Sequence, residues 1–338
     1  MKKLKIYLTM ISVIIIVFSC VKPVDDFKIE EHEPCIVMNG LLYPDSIVKI
    51  HLSKSIGILD DEKVIPLPNA TVELWDKDGI IETLSYDNDG YYISSNPLPD
   101  GYYFILKASL SGFKPVEANV EIPSVIPIIS YDTSYITETY EDYYFDENDY
   151  DNPQLVTFSK KILELTFSFQ DPREQVNYYM LEVINDDWFI DYEGDTFLIK
   201  VSSNVEANDP IFEMSYAGKW ITTLDEGDEI YGSGVVFSDN LINSKKHTIT
   251  MDITPSNTYP ELFNETTKTY VSLIAINEDY YKLLKCLSLY TDDPFDYIFV
   301  ERVTVYTNVK NGYGLVGAAA PYTCAFDVEV DTTNYYFK

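Results

Sequence analysis

Carboxylates and histidines are the side chains in this sequence that could act as general acids, bases or metal ligands. The chain has 338 residues, with 55 Asp and Glu but only three His. Glycoside hydrolysis needs a pair of carboxylates, but so acidic a chain offers many pairs, so their presence is uninformative. His32, His51 and His247 have no Cys, Asp or His at ligand spacing. We interpret them as isolated structural or surface histidines and expect no metal site.

Motifs for other common chemistries are absent from the sequence. It contains no Gly-x-Ser-x-Gly elbow, no His-Glu-x-x-His pair, no phosphate-binding loop and no dinucleotide fingerprint. Asp87-Asn88-Asp89-Gly90 alternates oxygen ligands as a calcium loop does, but the remaining ligands and the terminal Glu are missing. We therefore predict a hairpin turn there.

Aromatic side chains offer a different kind of candidate site. Trp75, Trp188 and Trp220, together with 29 Tyr, could form a platform on which sugar rings stack. In β-rich proteins such side chains more often fill cores and sheet faces, so we expect a structural role. Without a catalytic or cofactor motif, the sequence predicts a protein that is not an enzyme and that holds no cofactor.

Cys20 is the residue with the clearest chemical signal. Three lysines stand within the first five residues, and no charge follows from Ile6 to Ser19. This apolar stretch is too short for a membrane-spanning helix, which needs about 20 residues. It ends in a small residue, Ser19, directly before the cysteine. The pattern is typical of a signal peptide rather than of a membrane span.

The segment Val17-Phe18-Ser19-Cys20 resembles the lipobox of bacterial lipoprotein signals. The resemblance implies cleavage before Cys20, diacylglycerol on its thiol and an acylated amine, enough chains for stable membrane anchoring. We predict a signal peptide at residues 1–19 and a lipidated tether at residues 20–32. The acidic pair Asp25-Asp26 resembles the export tags of Bacteroidota lipoproteins and favours the outer face of the outer membrane over the periplasmic face. The alternatives are an ordinary secretory signal and an uncleaved anchor.

Composition restricts the class of protein and of partner. Hydrophobic residues make up 46% of the chain, which excludes global disorder. A net charge of -31 disfavours nucleic acid, whose phosphates would be repelled. Beyond Cys20 an odd number of cysteines remains, namely Cys35, Cys286 and Cys324, so at least one thiol is unpaired. We interpret these three as small, buried apolar side chains.

Short strands separated by turn signals follow the tether. Alternation and turn residues predict strands at 35–42, 47–52, 70–75, 85–92, 102–108 and 117–122. Their spacing predicts an antiparallel sandwich at residues 33–125. The order of Asn69 to Leu74, Asp87 to Tyr92, Gly101 to Ala108 and Gly112-Phe113 resembles prealbumin-like, carboxypeptidase-regulatory-like domains. Such a resemblance implies a rigid spacer or docking module without chemistry of its own.

An acidic, tyrosine-rich segment comes next. No Lys or Arg occurs from Pro115 to Ser159, and residues 138–151 contain seven carboxylates and five aromatic side chains. Because dense like charges resist compaction, we predict a solvated loop that connects two domains, the connector at residues 126–159. The alternative is a sticky acidic arm whose tyrosine rings anchor on a basic partner.

Residues 160–338 predict a larger β-rich domain with one short helix. Strands are expected at 162–169, 178–184, 196–201, 234–237, 246–253 and 269–276. At 277–290 the apolar period changes to a helical one, with Asn277 as N-cap. Asn311-Gly312 predicts a type I′ hairpin between strands at 299–309 and 313–319. The chain as a whole is predicted to be mainly β.

Four segments resemble, in the same order, a Bacteroidota family of outer-membrane lipoproteins known only as a domain of unknown function. These segments are Ile36 to Leu42, Val235 to Asp239, the Tyr280-Tyr281 helix, and Asp293-Pro294-Phe295 followed by Thr307 to Gly317. The resemblance covers nearly the whole chain after the signal. It implies a cell-envelope lipoprotein encoded beside a TonB-dependent receptor, and it transfers no catalytic residue.

Three hypotheses about function follow. The first is a surface lipoprotein that pairs with a TonB-dependent outer-membrane barrel and either captures a substrate for it, gates it or caps it. The sequence does not identify a small-molecule or peptide ligand for this function. The second is a structural or assembly accessory of an outer-membrane protein complex, without a nutrient ligand. The third is a secreted hydrolase, for which only composition speaks. Lipidation and the whole-chain resemblance favour the first.

Overall fold

The fold is that of a computed structural model, which describes residues 32–57, 64–146, 149–172, 176–192, 194–212, 233–256, 266–288 and 305–329. The strands and the helix of these ranges all lie in one compact unit, Cys35–Ser55 with Glu62–Lys338. The predicted signal peptide, Cys20 and Asp293-Pro294-Phe295 lie outside the described residues. No helix within the described ranges is long and apolar enough to cross a membrane.

The N-terminal part of this unit is built from short strands. They are β1 (Ile36–Leu42), β2 (Ser46–Lys54), β3 (Ile65–Pro66), β4 (Thr71–Asp76), β5 (Gly79–Thr83), β6 (Ser85–Tyr86), β7 (Tyr91–Leu98), β8 (Tyr103–Ser109) and β9 (Val116–Glu121). Strands β1-β2-β7-β6 form one layer, and β5-β4-β8-β9 form the other. Inward residues alternate with outward ones, and side chains such as Ile50, Leu74 and Phe104 fill the space between the layers. The predicted antiparallel sandwich is confirmed.

The C-terminal part contains longer strands and the helix. They are β10 (Ile128–Asp146), β11 (Asp149–Gln170), β12 (Tyr178–Ile190), β13 (Thr196–Ser202), β14 (Asn204–Glu206), β15 (Ser233–Ser238), β16 (Lys246–Thr254), β17 (Thr266–Ile276), α1 (Glu278–Ser288) and β18 (Val316–Glu329). The sheet β10-β11-β16-β14 packs on β13-β12-β17-β18 through a second core that includes Phe167, Tyr179 and Val271. The mainly β prediction with one short helix is confirmed.

One sheet runs through both parts of the molecule. Strand β1 pairs in parallel with β18, with Gly40 opposite Val316 and Leu42 opposite Ala318. Strand β18 also pairs with β17, which continues the sheet to β12 and β13. The first described strand therefore lies beside the last. The predicted boundaries at 33–125, 126–159 and 160–338 stay predictions.

The loop predicted for the acidic connector is wrong. Residues 128–146 and 149–170 form the hairpin β10–β11, paired from Ile128 opposite Phe169 to Asp146 opposite Asp149. Tyr, Thr and Ile recur along β10, and these residue types favour strands. The side chains of its acidic residues Asp132, Glu138 and Glu141 are exposed. Because water solvates these charges, repulsion does not prevent pairing.

The type I′ hairpin predicted at Asn311-Gly312 is also wrong. A turn does form there, with φ of 61° at Asn311, but residues 305–309 are not strand. The residues flanking the turn pair elsewhere, since Lys310 bridges to Glu117 and Tyr313 to Val37. By contrast, the turn at Asp87–Gly90 joins β6 to β7 as predicted.

Candidate functional site

Three of the four segments that carry the family resemblance meet at one place, which we call the joint. The joint consists of β1, residues 307–317 and the start of α1. Met38 donates its N–H to the carbonyl of Tyr313 at 2.9 Å, and Gly40 donates to Leu315 at 2.9 Å. The backbone of the N-terminal sandwich is thus hydrogen-bonded directly to the C-terminal part of the chain.

Glycines permit the close approach within the joint. A Cβ on Gly312 would stand 2.3 Å from the Ile36 carbonyl oxygen, and one on Gly314 would stand 2.3 Å from that of Met38. Gly314 also has φ of 105°, which side-chain-bearing residues rarely adopt. The Gly-rich stretch that marks the family thus has a packing explanation.

Two asparagines bind backbone groups on the helical side of the joint. The Asn277 Oδ1 accepts from the N–H groups of Tyr280 and Ala318, both at 3.1 Å, so the residue caps α1 as predicted and also fixes β18. Asn308 accepts from the Val316 N–H at 3.0 Å and donates to its carbonyl at 2.9 Å. These side chains complete the hydrogen bonding of partly buried backbone.

The Asp279 carboxylate, in the first turn of α1, accepts hydrogen bonds from two further side chains of the joint. It accepts from the Tyr306 hydroxyl at 2.5 Å and from the Asn308 amide at 3.0 Å. Burial and the hydrogen bond to this carboxylate raise the pKa of Tyr306. The Asp279 carboxylate is thus engaged by its neighbours, and we assign the joint an architectural role.

The fourth segment, Val235 to Asp239, contributes one member of a buried pair of acids. The pair consists of Asp171 and Asp239, each 1% exposed. Asp171 accepts from the Tyr179 hydroxyl at 2.5 Å and from the Ser244 N–H at 2.7 Å. Asp239 accepts from the Asn177 N–H at 2.9 Å. Sequence reasoning missed this pair because the two acids stand in different segments; the Phe237-Ser238-Asp239 motif was its only signal.

Burial, hydrogen bonds and the neighbouring charge act on the pKa of Asp171 in opposite directions. Burial raises the pKa of Asp171, hydrogen bonds from Tyr179 and Ser244 oppose that rise, and the nearby Asp239 adds to it. Burial and Asp171 together raise the pKa of Tyr179. Two carboxylates with such different partners suit acid–base chemistry in principle, but 1% exposure leaves a substrate no access. We therefore assign the pair a structural role.

The histidines and cysteines are dispersed over the fold. His51 Nε2 lies 3.0 Å from the Asp89 carbonyl oxygen, and His247 Nε2 lies 2.9 Å from an Asp209 carboxylate oxygen, a contact that the sequence did not predict. Cys35 and Cys324 are half-buried free thiols rather than fully buried ones. Within the described ranges, no three metal-binding side chains gather.

The tryptophans do not form a platform in the described structure. Trp75 donates to Glu73 at 3.0 Å, and the Lys107 ammonium lies 4.0 Å from its ring centre. Trp188 is half-buried in β12, far along the chain on a different sheet, and Trp220 lies outside the described residues. The structure thus does not bring together the aromatic side chains suggested for sugar stacking.

A cleft of about 430 Å3 opens between the two layers of the N-terminal sandwich. Its walls are mostly apolar and include Ile81, Pro97, Tyr102 and Phe104. Both carboxylates that line it are already engaged by backbone, since Glu82 accepts from the Ser95 N–H at 2.6 Å and Asp76 accepts from the Gly79 N–H at 3.0 Å. The cleft could hold an apolar group, but it presents no set of convergent polar groups that would define a ligand.

The far end of the β10–β11 hairpin carries exposed side chains, and we call it the arm: residues 137–146 and 149–161. Strand β16 pairs with β11 only from Leu163 to Gln170, so in the described structure the arm consists of two strands. Ten residues of strand extend about 30 Å. An isolated two-stranded ribbon is only marginally stable, so the arm depends on contacts at its base for its stability.

The base of the arm is fixed to the end of β18. The Tyr135 hydroxyl donates to the Asp327 carbonyl at 2.9 Å. The rings of Tyr131 and Phe326 meet edge to face, with their centres 5.2 Å apart. Lys161 forms an ion pair with Glu329. These contacts set the direction of the arm relative to the sheet.

Comparison with known proteins identifies the family. A family model described as a domain of unknown function (DUF4249) matches residues 24–324. No curated protein matches the chain.

Several solved structures are similar at 9–11% sequence identity. One is a membrane-anchored protein from Corynebacterium diphtheriae (9% identity, TM-score 0.20), with 72% of this chain covering 55% of that one. Another is a carbohydrate-binding module of the β-sandwich superfamily (11% identity, TM-score 0.19), with 67% covering 99%. A third is the major pilin subunit of Bacillus cereus (10% identity, TM-score 0.17), with 71% covering 64%. Similarities this low carry no functional argument. The family match spans most of the sequence, and the chain therefore belongs to the DUF4249 family.

Proposed function

We propose that the protein is a surface-exposed outer-membrane lipoprotein of a Bacteroidota bacterium, anchored through lipid on Cys20. In this proposal it is the accessory partner of a TonB-dependent outer-membrane transporter, for which it captures substrate or gates or caps the barrel. The lipobox-like segment Val17 to Cys20 supports the anchor. The family resemblance supports the transporter as partner.

The observation that carries the proposal is the arm. Its Tyr140, Tyr143 and Leu155 side chains are 51%, 59% and 58% exposed, and Tyr143 and Leu155 are cross-strand neighbours that form one exposed apolar pair. The polar clusters at the joint and at Asp171, in contrast, are engaged internally. The exposed chemistry of the described structure therefore favours contact with another protein over catalysis.

A second candidate function is an assembly accessory of an outer-membrane complex that binds protein and no nutrient. The exposed arm supports this function as well as it supports the first. The apolar cleft at Tyr102 and Phe104 favours the transporter hypothesis, because it gives a small ligand a place to bind.

Affinity purification from gently solubilised membranes tests the proposal. A C-terminal tag on the full chain should bring down a TonB-dependent receptor in a stoichiometric amount, identified by mass spectrometry. A different barrel or an assembly machine in its place would favour the second candidate. Recovery of the lipoprotein alone would contradict both.

The anchor is tested separately by Cys20→Ala. This variant should lose the lipid mass and leave the membrane fraction, because it lacks the Cys20 thiol to which the diacylglycerol is attached and so lacks the acyl chains that anchor the protein. Cys35→Ala is the matched control and should remain in the membrane fraction. Retention of Cys20→Ala at the native level would contradict lipid anchoring.

A further inference from the structure

We propose that the arm is the docking element of the protein, and that its partner presents lysines or arginines around an apolar patch. This inference rests on the proposed function, since it assigns the surface through which the transporter is bound. It commits to a protein occupant, and it follows from the register, exposure and charge of β10 and β11.

The face of β11 that builds the C-terminal core continues onto the arm. Leu163, Leu165 and Phe167 point into the core and are each 1% exposed. Leu155 stands eight residues before Leu163, so it lies on the same face of the strand. It is nevertheless 58% exposed, and its cross-strand neighbour Tyr143 is 59% exposed. The core-facing row thus ends in an exposed aromatic–aliphatic pair, which a second layer of protein would cover.

Charge specifies the chemistry of that second layer. Glu141 is exposed near the apolar pair. The arm carries six carboxylates against two cations, Lys160, which stands opposite Glu138, and Lys161, which pairs with Glu329, so its charge is strongly negative. Opposite charges across an interface speed association and exclude wrong partners. A basic surface satisfies this condition, whereas an anionic membrane surface would be repelled.

Aromatic side chains explain why the arm can bind without a pocket. Tyrosine is enriched among the residues that contribute most to interfaces, because its ring buries a large area at a small cost in side-chain entropy. The base of the arm is already fixed by Tyr131 and Tyr135. The arm therefore meets a partner as a hairpin whose direction is already set by these contacts.

Site-specific photo-crosslinking in cells tests the docking surface. A photo-reactive amino acid replaces Thr139 on the arm, and in the control it replaces Thr71, which is also an exposed threonine in a strand. The transporter should crosslink at position 139 at least about tenfold more than at position 71. The full lipidated chain is used, and the crosslinked protein is identified by mass spectrometry.

Two double variants test the chemistry of the contact. Glu138→Lys with Glu141→Lys, and separately Tyr143→Ser with Leu155→Ser, should each lower recovery of the transporter by about tenfold or more. Asp78→Lys with Glu121→Lys changes the net charge equally on the other part of the molecule and should leave recovery unchanged. Equal melting temperatures verify that the variants remain folded.

The outcomes separate this inference from the proposed function. Capture of the transporter through position 71 and not 139 would overturn the arm as docking element while the proposed function stands. Capture of a different, basic-surfaced protein through position 139, sensitive to the charge reversal, would uphold the arm and contradict the transporter as partner. Crosslinks from position 139 to lipid, or transporter recovery indifferent to both double variants, would overturn the inference.

Discussion

Asn39 and Leu315 are 276 residues apart, and the Leu315 N–H donates to the Asn39 side-chain oxygen at 3.0 Å. The contact lies beside the parallel pairing of β1 with β18. The Asn39 side-chain oxygen in β1, the first described strand, therefore accepts the hydrogen bond of a backbone N–H that lies just before β18, the last described strand. A substitution at this contact in β1 should therefore change the stability of the region around β18 as well.

Asn39→Ala should lower the free energy of unfolding by about 1–3 kcal/mol, because it leaves the partly buried Leu315 N–H without its acceptor. Urea denaturation measures the change. Asn39→Asp keeps an acceptor oxygen and should cost less. An alanine variant as stable as the wild type would show that the contact contributes nothing.

Gly314→Ala should destabilise the protein by more than about 3 kcal/mol, because it combines an unfavourable φ with a collision against the Met38 carbonyl. Gly112→Ala is the matched control. Gly112 has φ of 89° but open space around it, so its substitution should cost only about 1–2 kcal/mol of backbone strain. Equal losses in the two variants would contradict the close packing assigned to the joint.

Tyr179→Phe should lower the free energy of unfolding by about 1–3 kcal/mol at pH 7, since a buried Asp171 oxygen loses its hydroxyl donor. The pKa of Tyr179 is raised in the folded state above its ordinary value of 10.0, so the unfolded chain ionises first as the pH rises. The stability due to Tyr179 is thus present below pH 10 and is lost above it, by about 1.4 kcal/mol per pH unit.

The measurement is the difference in stability between wild type and Tyr179→Phe at pH 8, 10 and 11, from urea denaturation. The difference should be constant up to about pH 10 and narrower at pH 11. A difference that stays the same at pH 11 would mean that the Tyr179 hydroxyl ionises equally well in the folded protein.

Cys324 should react more slowly with an alkylating reagent in the folded protein than in urea, because burial raises the pKa of its thiol and lowers the thiolate fraction. Peptide mass spectrometry without reductant measures modification at Cys324 and at Cys35. Both should be fully modified in urea, as free thiols are. Equal rates at Cys324 in the folded and unfolded chain would contradict its burial.

Local patterns in the sequence were sufficient for the elements that depend on neighbouring residues. Alternation at 102–108 predicted β8, observed at Tyr103–Ser109, and the apolar period after Asn277 predicted α1. In both cases the side chains that determine the element lie within one turn or a few strand positions. Cys20, whose signal is equally local, stays a prediction.

Long-range contacts could not be predicted in the same way. Nothing near Gly40 specifies Val316 as its strand partner, and nothing near Asp171 specifies the proximity of Asp239. The density of like charges in residues 138–151 predicts a loop, whereas the Tyr, Thr and Ile residues of β10 prefer strand. Because the carboxylates of Asp132, Glu138 and Glu141 are exposed, the high dielectric constant of solvent weakens that repulsion, and the strands pair.

The parallel pairing of β1 with β18 has a consequence for the order of events during synthesis. A chain grows at roughly 5–20 residues per second, so the 276 residues that separate Asn39 from Leu315 take on the order of 15–55 s to appear. Until then one edge of β1 has no native neighbour and stays open to pairing with other chains. Such distant contacts also slow folding itself. Newly made protein should therefore depend on a holding chaperone until its last strands arrive.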